Sequence, residues 1–126
     1  MITRALIATT LALSISGVAL AAEPARMGET SKGPTLTNAQ GMTLYTFDKD
    51  SDGKSACNGQ CAANWPPLAA AANAKASGAY TVVTRDDGSH QWAYKGQPLY
   101  TWVKDTKPGD ITGDEVNNGT WHVAQP

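Results

Sequence analysis

Along most of the chain polar and apolar residues alternate in short runs, broken by glycine, proline and aspartate. Tyr80-Thr81-Val82-Val83-Thr84 is rich in β-branched residues. It meets Arg85-Asp86-Asp87-Gly88-Ser89, a strong turn signal, and then Gln91-Trp92-Ala93-Tyr94. This pattern predicts an antiparallel hairpin. A turn around Lys95-Gly96 leads on to Leu99–Trp102, and Asn38-Ala39-Gln40-Gly41 joins Thr35–Thr37 to Leu44–Phe47 in the same way. Glycine supplies the positive φ that such turns need. Thr120-Trp121-His122-Val123 predicts a last short strand. One helix is expected, over Asn58–Trp65, capped by Ser55 or Asn58 and stopped by Pro66-Pro67. The Ala-rich stretch Leu68–Ser77 suits a helical turn or a linker.

The pattern is written twice. Residues 41–50 read GMTLYTFDKD and residues 96–105 read GQPLYTWVKD. Gly41, Leu44, Tyr45, Thr46, Phe47, Lys49 and Asp50 recur at an offset of 55 as Gly96, Leu99, Tyr100, Thr101, Trp102, Lys104 and Asp105. Trp65 and Trp121 lie one residue off that register. Each unit is therefore a turn, an aromatic strand, an acidic loop and a Trp. The expected fold is mainly β: two similar antiparallel hairpin units in one small domain, with one short helical turn near Cys57–Trp65. How the units pack is open.

Hydrophobicity at the start of the chain has another meaning. Met1–Arg4 is a short positive segment, and Ala5–Leu20 is apolar without a charge. Ala19-Leu20-Ala21 fits a small-x-small cleavage pattern. Residues 1–21 are read as a removed signal peptide, residues 22–32 as a flexible N-terminal segment, and residues 33–126 as a single domain of two repeats, about 33–72 and 80–126. No second apolar stretch follows that would span a membrane.

Without the leader the chain keeps only four Leu, one Ile, five Val, two Met and one Phe, but all four Trp and all four Tyr. The Leu or Ile stripes of a helical bundle are missing. A formal net charge of −1 leaves no basic footprint for nucleic acid. Tyr45 and Phe47, Tyr100 and Trp102, and Trp92 and Tyr94 each fall on one side of a strand. They form either a core that replaces the missing aliphatics or a stacking platform for a sugar or other flat ligand, with Trp92, Tyr94, Tyr100 and Trp102 as its candidates. The shortage of aliphatics favours the core. An even-length loop puts Trp92 and Tyr94 beside Leu99 and Thr101, and an odd one beside Tyr100 and Trp102.

Cys57 and Cys61 are the only cysteines, spaced C-x3-C behind an export signal. On a helical turn such residues lie about 6 Å apart, within disulfide range. A structural disulfide is expected, with a redox or copper(I) site as the alternative. Asp48-Lys49-Asp50-Ser51-Asp52-Gly53 matches the first half of a calcium loop, and Asp105, Asp110 and Asp114 form a looser version in the second unit. The twelfth position of the first loop is Gly59 rather than a bidentate Glu, and a strand precedes it. A solvated turn is the plainer reading, with calcium as a possible cofactor and no other expected. His90 and His122 stand alone, and no nucleophile elbow, zinc-protease, P-loop or dinucleotide motif is present. No enzyme is expected.

Tyr45-Thr46-Phe47-Asp48-Lys49-Asp50 and Tyr100-Thr101-Trp102-Val103-Lys104-Asp105 resemble the Yx(FWY)xxD motif of a secreted-repeat lipoprotein family. Its motif positions would be Tyr45, Phe47 and Asp50, and Tyr100, Trp102 and Asp105. The segments at 53–62, 65–68, 87–88, 91–94 and 119–122 are similar to that family too, so the likeness covers roughly residues 33–126. The resemblance implies a bacterial envelope protein of largely unknown function. Some members carry a label of alkane catabolism, which nothing in these residues supports. Many members are lipid-anchored through a Cys directly after the leader. Here that residue is Ala22, which argues for a soluble periplasmic or secreted form. The expected function is a non-enzymatic binding or structural module, meeting an unknown envelope partner or a small ligand.

Overall fold

A computed structural model describes residues 23–126. The leader expected at residues 1–21 lies outside the described residues. The described chain is mainly β. Strands β1 (Arg26–Thr30) and β2 (Gly33–Thr37) form one antiparallel pair, and β3 (Tyr45–Phe47) pairs with β7 (Trp121–Val123). Between them β4 (Tyr80–Thr84), β5 (His90–Tyr94) and β6 (Gln97–Pro98) make a three-stranded antiparallel sheet. The helices are short: α1 (Gln60–Asn64) and a kinked helical turn, α2 (Val116–Gly119).

Several elements follow from local chemistry. The β4–β5 hairpin forms as its β-branched run and Asp-Gly turn predict, with Thr84 opposite His90. Asp87 accepts hydrogen bonds from the backbone and hydroxyl of Ser89 and closes that turn. Lys95 and Gly96 take φ of 50° and 81°, the left-handed pair of a two-residue hairpin. That even loop sets the register: Tyr94 faces Gln97, and the Leu99 N–H donates to the Trp92 carbonyl. Trp92 and Tyr94 therefore share a side with Leu99, not with Tyr100 and Trp102.

Two expectations are corrected. Within the segment expected to be flexible, Arg26–Thr30 form β1, paired residue for residue with β2. Its side chains are mostly exposed, so no buried stripe announces it. Helix α1 also starts two residues later than expected, behind Gly59, and no side chain caps it. Ser55 turns inward to the Tyr100 hydroxyl, and Asn58 reaches across to Asp86. The C-terminal end is as anticipated, since Pro66 follows directly on Trp65. Leu68–Ser77 holds no helix, and Leu68–Ala70 runs extended along β5. The Cys57–Cys61 disulfide is formed, with Cα atoms 5.2 Å apart.

The two units are interlocked. At the centre Tyr45 and Tyr100 exchange backbone hydrogen bonds of 2.8 and 3.0 Å. Around that pair each bond has a counterpart. The Ala124 N–H donates to the Leu44 carbonyl, and the Leu68 N–H to Leu99. The Leu36 N–H donates to Ala124, and the Trp92 N–H to Leu68. The segment that follows the Trp of each unit thus joins the strands of the other.

Alternation along the central strands divides the core in two. Leu44 and Leu99 point to a cluster with Ala25, Leu36, Tyr80 and Ala124, against which Leu68, Trp92 and Tyr94 pack. Tyr45 and Tyr100 point the other way, to Trp65, Trp121, Cys57 and Val123. All four leucines of the described residues fall on the first side, and three of the four tryptophans on the second.

In the aromatic cluster four rings form a stack. Phe47 lies on Trp121 at 4.2 Å, Trp121 on Trp65 at 3.7 Å and Trp65 on Trp102 at 4.1 Å between centroids. Gly113 sits where Trp65 and Trp102 meet. A Cβ there would meet Trp65 Cη2 at 2.6 Å and Trp102 Cγ at 2.9 Å. Gly113→Ala is expected to cost about 1–3 kcal/mol through overpacking. Urea unfolding measures it, and a loss near zero would show that the stack yields at no cost.

Candidate functional site

The tyrosines and aspartates of the two Tyr-x-aromatic-x-x-Asp segments meet across the unit boundary. The Tyr45 hydroxyl donates to Asp105 Oδ2 at 2.6 Å, and the Tyr100 hydroxyl donates to Asp50 Oδ2 at 2.6 Å. Each tyrosine is thus tied to the aspartate of the other unit. The second carboxylate oxygens are held in parallel ways. Asp50 Oδ1 accepts from the Ala56 N–H at 2.7 Å, and Asp105 Oδ1 from the Thr112 N–H and hydroxyl at 3.0 and 2.6 Å.

Electrostatics follow from this geometry. Burial, reinforced by the carboxylate at each hydroxyl, pushes both phenols well above the usual phenolic range. Both stay protonated and act as donors. Burial also raises Asp50, against the lowering effect of the Ala56 N–H and the Tyr100 hydroxyl. Behind Tyr100 lies a buried cation. The Arg85 guanidinium, 6% exposed, donates to Ser55 Oγ at 2.9 Å, to Gln91 Oε1 at 2.6 Å and to the Cys57 carbonyl. Tyr100 gives its only hydroxyl hydrogen to Asp50, so Ser55 donates to the Tyr100 oxygen at 2.6 Å. A continuous chain runs from the buried Gln91, Arg85, Ser55 and Tyr100 to the half-buried Asp50, and gives the Arg85 charge its counter-charge.

A sequence profile of the family described as a secreted repeat of unknown function matches residues 27–69 and 81–125. The chain belongs to that family. Neither a curated protein nor a solved structure matches it. The two matched stretches of this secreted-repeat protein are the two interlocked units.

The six aspartates proposed as calcium ligands turn to separate partners. Asp48 faces His122, Asp50 and Asp105 face the tyrosines, and Asp52 lies against Gly96. Asp110 caps its own turn, and the Thr106 N–H does most to hold it below the usual carboxylate range. Burial alone would raise Asp114, but the Lys32 ammonium and the Val123 N–H hold it low. Among the described residues, the ligand-type atoms that converge within 4.8 Å are those of Asp114, Glu115 and His122. Lys32 already sits at this group, on Asp114 and 3.9 Å from Glu115. Both sulfurs of the candidate copper(I) pair are in the disulfide. Of the candidate ligand-stacking rings, Tyr100 is fully buried, and Trp92, Tyr94 and Trp102 are half-buried.

Sequence reasoning missed three residues. Arg85 reads as part of a turn, because two of its partners, Ser55 and Cys57, lie 30 and 28 residues away. Ser55 reads as a helix cap. His122 reads as solitary, yet its Nδ1 lies 3.0 Å from Glu115 and its Nε2 lies 2.9 Å from Asp48. Asp48 is 74 residues away in the chain, so no spacing signals the contact.

Two tests follow for this secreted-repeat protein. Tyr45→Phe and Tyr100→Phe each leave a carboxylate without its donor, at an expected cost of about 1–3 kcal/mol in denaturant unfolding. A neutral result at both would show that the exchange does not hold the units together. His122 titrates above 6.5, chiefly through its bond to Asp48 and next through Glu115, with burial opposing. A raised folded pKa means that this stability is present below 6.5 and is lost as pH rises through the folded value. NMR titration of the imidazole and melting temperature against pH should show that loss, and His122→Gln should remove it.

Proposed function

We propose that this secreted-repeat chain is a non-enzymatic binding or structural module of the bacterial envelope, periplasmic or released. One observation carries the reading: the tyrosine and the motif aspartate of each repeated segment are engaged with those of the other. Tyr45, Asp50, Tyr100 and Asp105 are hydrogen-bonded pairwise inside the molecule, and two of the four are fully buried tyrosines. Acid–base catalysis needs a titratable group poised beside a substrate. Here the repeated residues lock two units into one body. Among the described residues no helix is long and apolar enough to cross a membrane.

The concave surface beside this lock suits binding. A cleft of about 290 Å³ lies between the Asp48–Asp52 loop of the first unit and the Lys95–Pro98 turn of the second. Phe47 lines it, with its ring stacked on Trp121. The corresponding turn and loop, Asn38–Gly41 of the first unit and Pro108–Gly109 of the second, border another cleft, of about 450 Å³, that no aromatic ring lines. The ring of Phe47 distinguishes the first cleft, which supports a ligand role for that side.

Melting temperature and turnover, measured in parallel over sugars, amines, peptides and divalent cations including calcium, test the reading. A ligand of the cleft should raise the melting temperature of the parent and leave a Phe47→Leu, Asp52→Asn variant unmoved, with no turnover. A sustained turnover abolished by one substitution would overturn it. If no compound binds, the structural half of the reading stands alone.

A further inference from the structure

The aromatic stack joins two surfaces of chemistry that the lock alone does not require. Its outer ring, Trp102, is half-buried, and the inner pair, Trp65 and Trp121, is buried with planes 2° apart. Two tyrosines meet the inner pair edge-on. Tyr45 stands 5.2 Å from Trp65, and Tyr100 stands 5.1 Å from Trp121. Each of these phenols is hydrogen-bonded at 2.6 Å to a carboxylate. Indole and phenol are among the side chains most easily oxidised by one electron. An indole gives up an electron without having to lose a proton at once. An oxidised phenol is a very strong acid and forms only where a base takes its proton. The structure therefore sets a stack of oxidisable rings against two phenol–base pairs.

We infer that the core acts as a sink for one-electron oxidants. A one-electron oxidant at the surface takes an electron from Trp102 and is itself reduced. Trp102 recovers an electron from Trp65, and the deficit passes to Trp121 or directly to Tyr45. The last electron leaves Tyr45 or Tyr100. At Tyr45 the phenolic O–H bond breaks and an O–H bond forms on Asp105; at Tyr100 the proton moves to Asp50. The products are a neutral phenoxyl radical and a neutral carboxylic acid. A hydrogen-atom donor such as a small thiol or a hydroquinone resets the system. Its electron returns along the stack, the carboxylic acid gives its proton back to the phenoxyl oxygen, and the donor's own proton goes to solvent.

Two details favour inward travel. Among the described residues, the Trp102 indole nitrogen is buried without a hydrogen-bond partner, so an oxidised Trp102 has no acceptor for its N–H proton. The Lys104 ammonium stands 5.7 Å from the centre of the same ring, and its charge disfavours a lasting positive charge there. The carboxylates at the far end favour one.

The experiment uses the whole chain with Tyr80→Phe and Tyr94→Phe, which leaves Tyr45 and Tyr100 as its tyrosines. Ruthenium(III) tris-bipyridine, photogenerated with a sacrificial acceptor, is the oxidant. Transient absorption and freeze-quench electron paramagnetic resonance follow the radicals. An indole radical should appear first and decay into a neutral tyrosyl radical, more slowly in heavy water. Asp50→Asn together with Asp105→Asn keeps a hydrogen-bond acceptor but removes the base, so tyrosyl formation should slow by about a hundredfold while the indole radical persists. Trp102→Phe should lower the yield of both radicals. The inference is overturned if no indole-to-tyrosyl transfer occurs in the parent, or if the Asn pair leaves its rate unchanged. If near-UV circular dichroism shows that the Asn pair does not fold, the parent decides alone: equal tyrosyl rates in light and heavy water overturn the inference.

Discussion

The hydroxyl-to-carboxylate exchange between Tyr45 and Asp105, and between Tyr100 and Asp50, is the constraint around which the molecule is arranged. A tyrosine inside a core carries a polar end that must be satisfied, and a buried carboxylate is more demanding still. Meeting both needs across the unit boundary puts the two central strands side by side and turns their phenols the same way. Cross-unit backbone bonds then follow at Leu44, Leu99, Leu68 and Ala124. The Arg85 cluster is an extension of the same demand. Asp50 brings negative charge inside, and a guanidinium reaches the same polar chain through Ser55.

The core is built on this frame with little aliphatic material. Period-two alternation sends the leucines to one side and the tyrosines to the other, so one strand pair serves two unlike clusters. Large flat rings suit the aromatic side, because parallel indoles bury much area with few side chains. Close stacking also demands narrow clearance, which is why a residue without a side chain sits at Gly113. The disulfide closes the loop in front of α1 and holds Cys57 beside these rings.

What the sequence made legible is what depends on neighbours in the chain. The repeat, the Tyr80–Tyr94 hairpin, the proline stop after Trp65 and the Cys57–Cys61 bridge all rest on local spacing. Alternation also showed that Tyr45 and Phe47 share a side. It carries no information about which strand lies opposite, so the crossing of Trp65–Leu68 and Trp121–Ala124 into the other unit was hidden. β1 was hidden for another reason: an edge strand facing water has no apolar stripe. The acidic loops were the most ambiguous feature. Carboxylates beside glycine in a tight turn suit a cation, and they suit backbone N–H groups and distant hydroxyls equally well. Asp50 and Asp110 do the second, and spacing alone does not separate the two cases.

The exchange of terminal segments sets a rule of parity. A lone unit of this kind would present an uncovered indole, a phenol without its carboxylate and a carboxylate without its phenol. Its complement is another unit in the opposite role, so units close in pairs and an odd one is left with an open seam. A chain of one unit finds that complement only in a second molecule, as a swapped dimer. Two units in one chain are therefore the smallest number that closes the fold without help, and the tether between them turns what would be an interface between chains into the core of one chain.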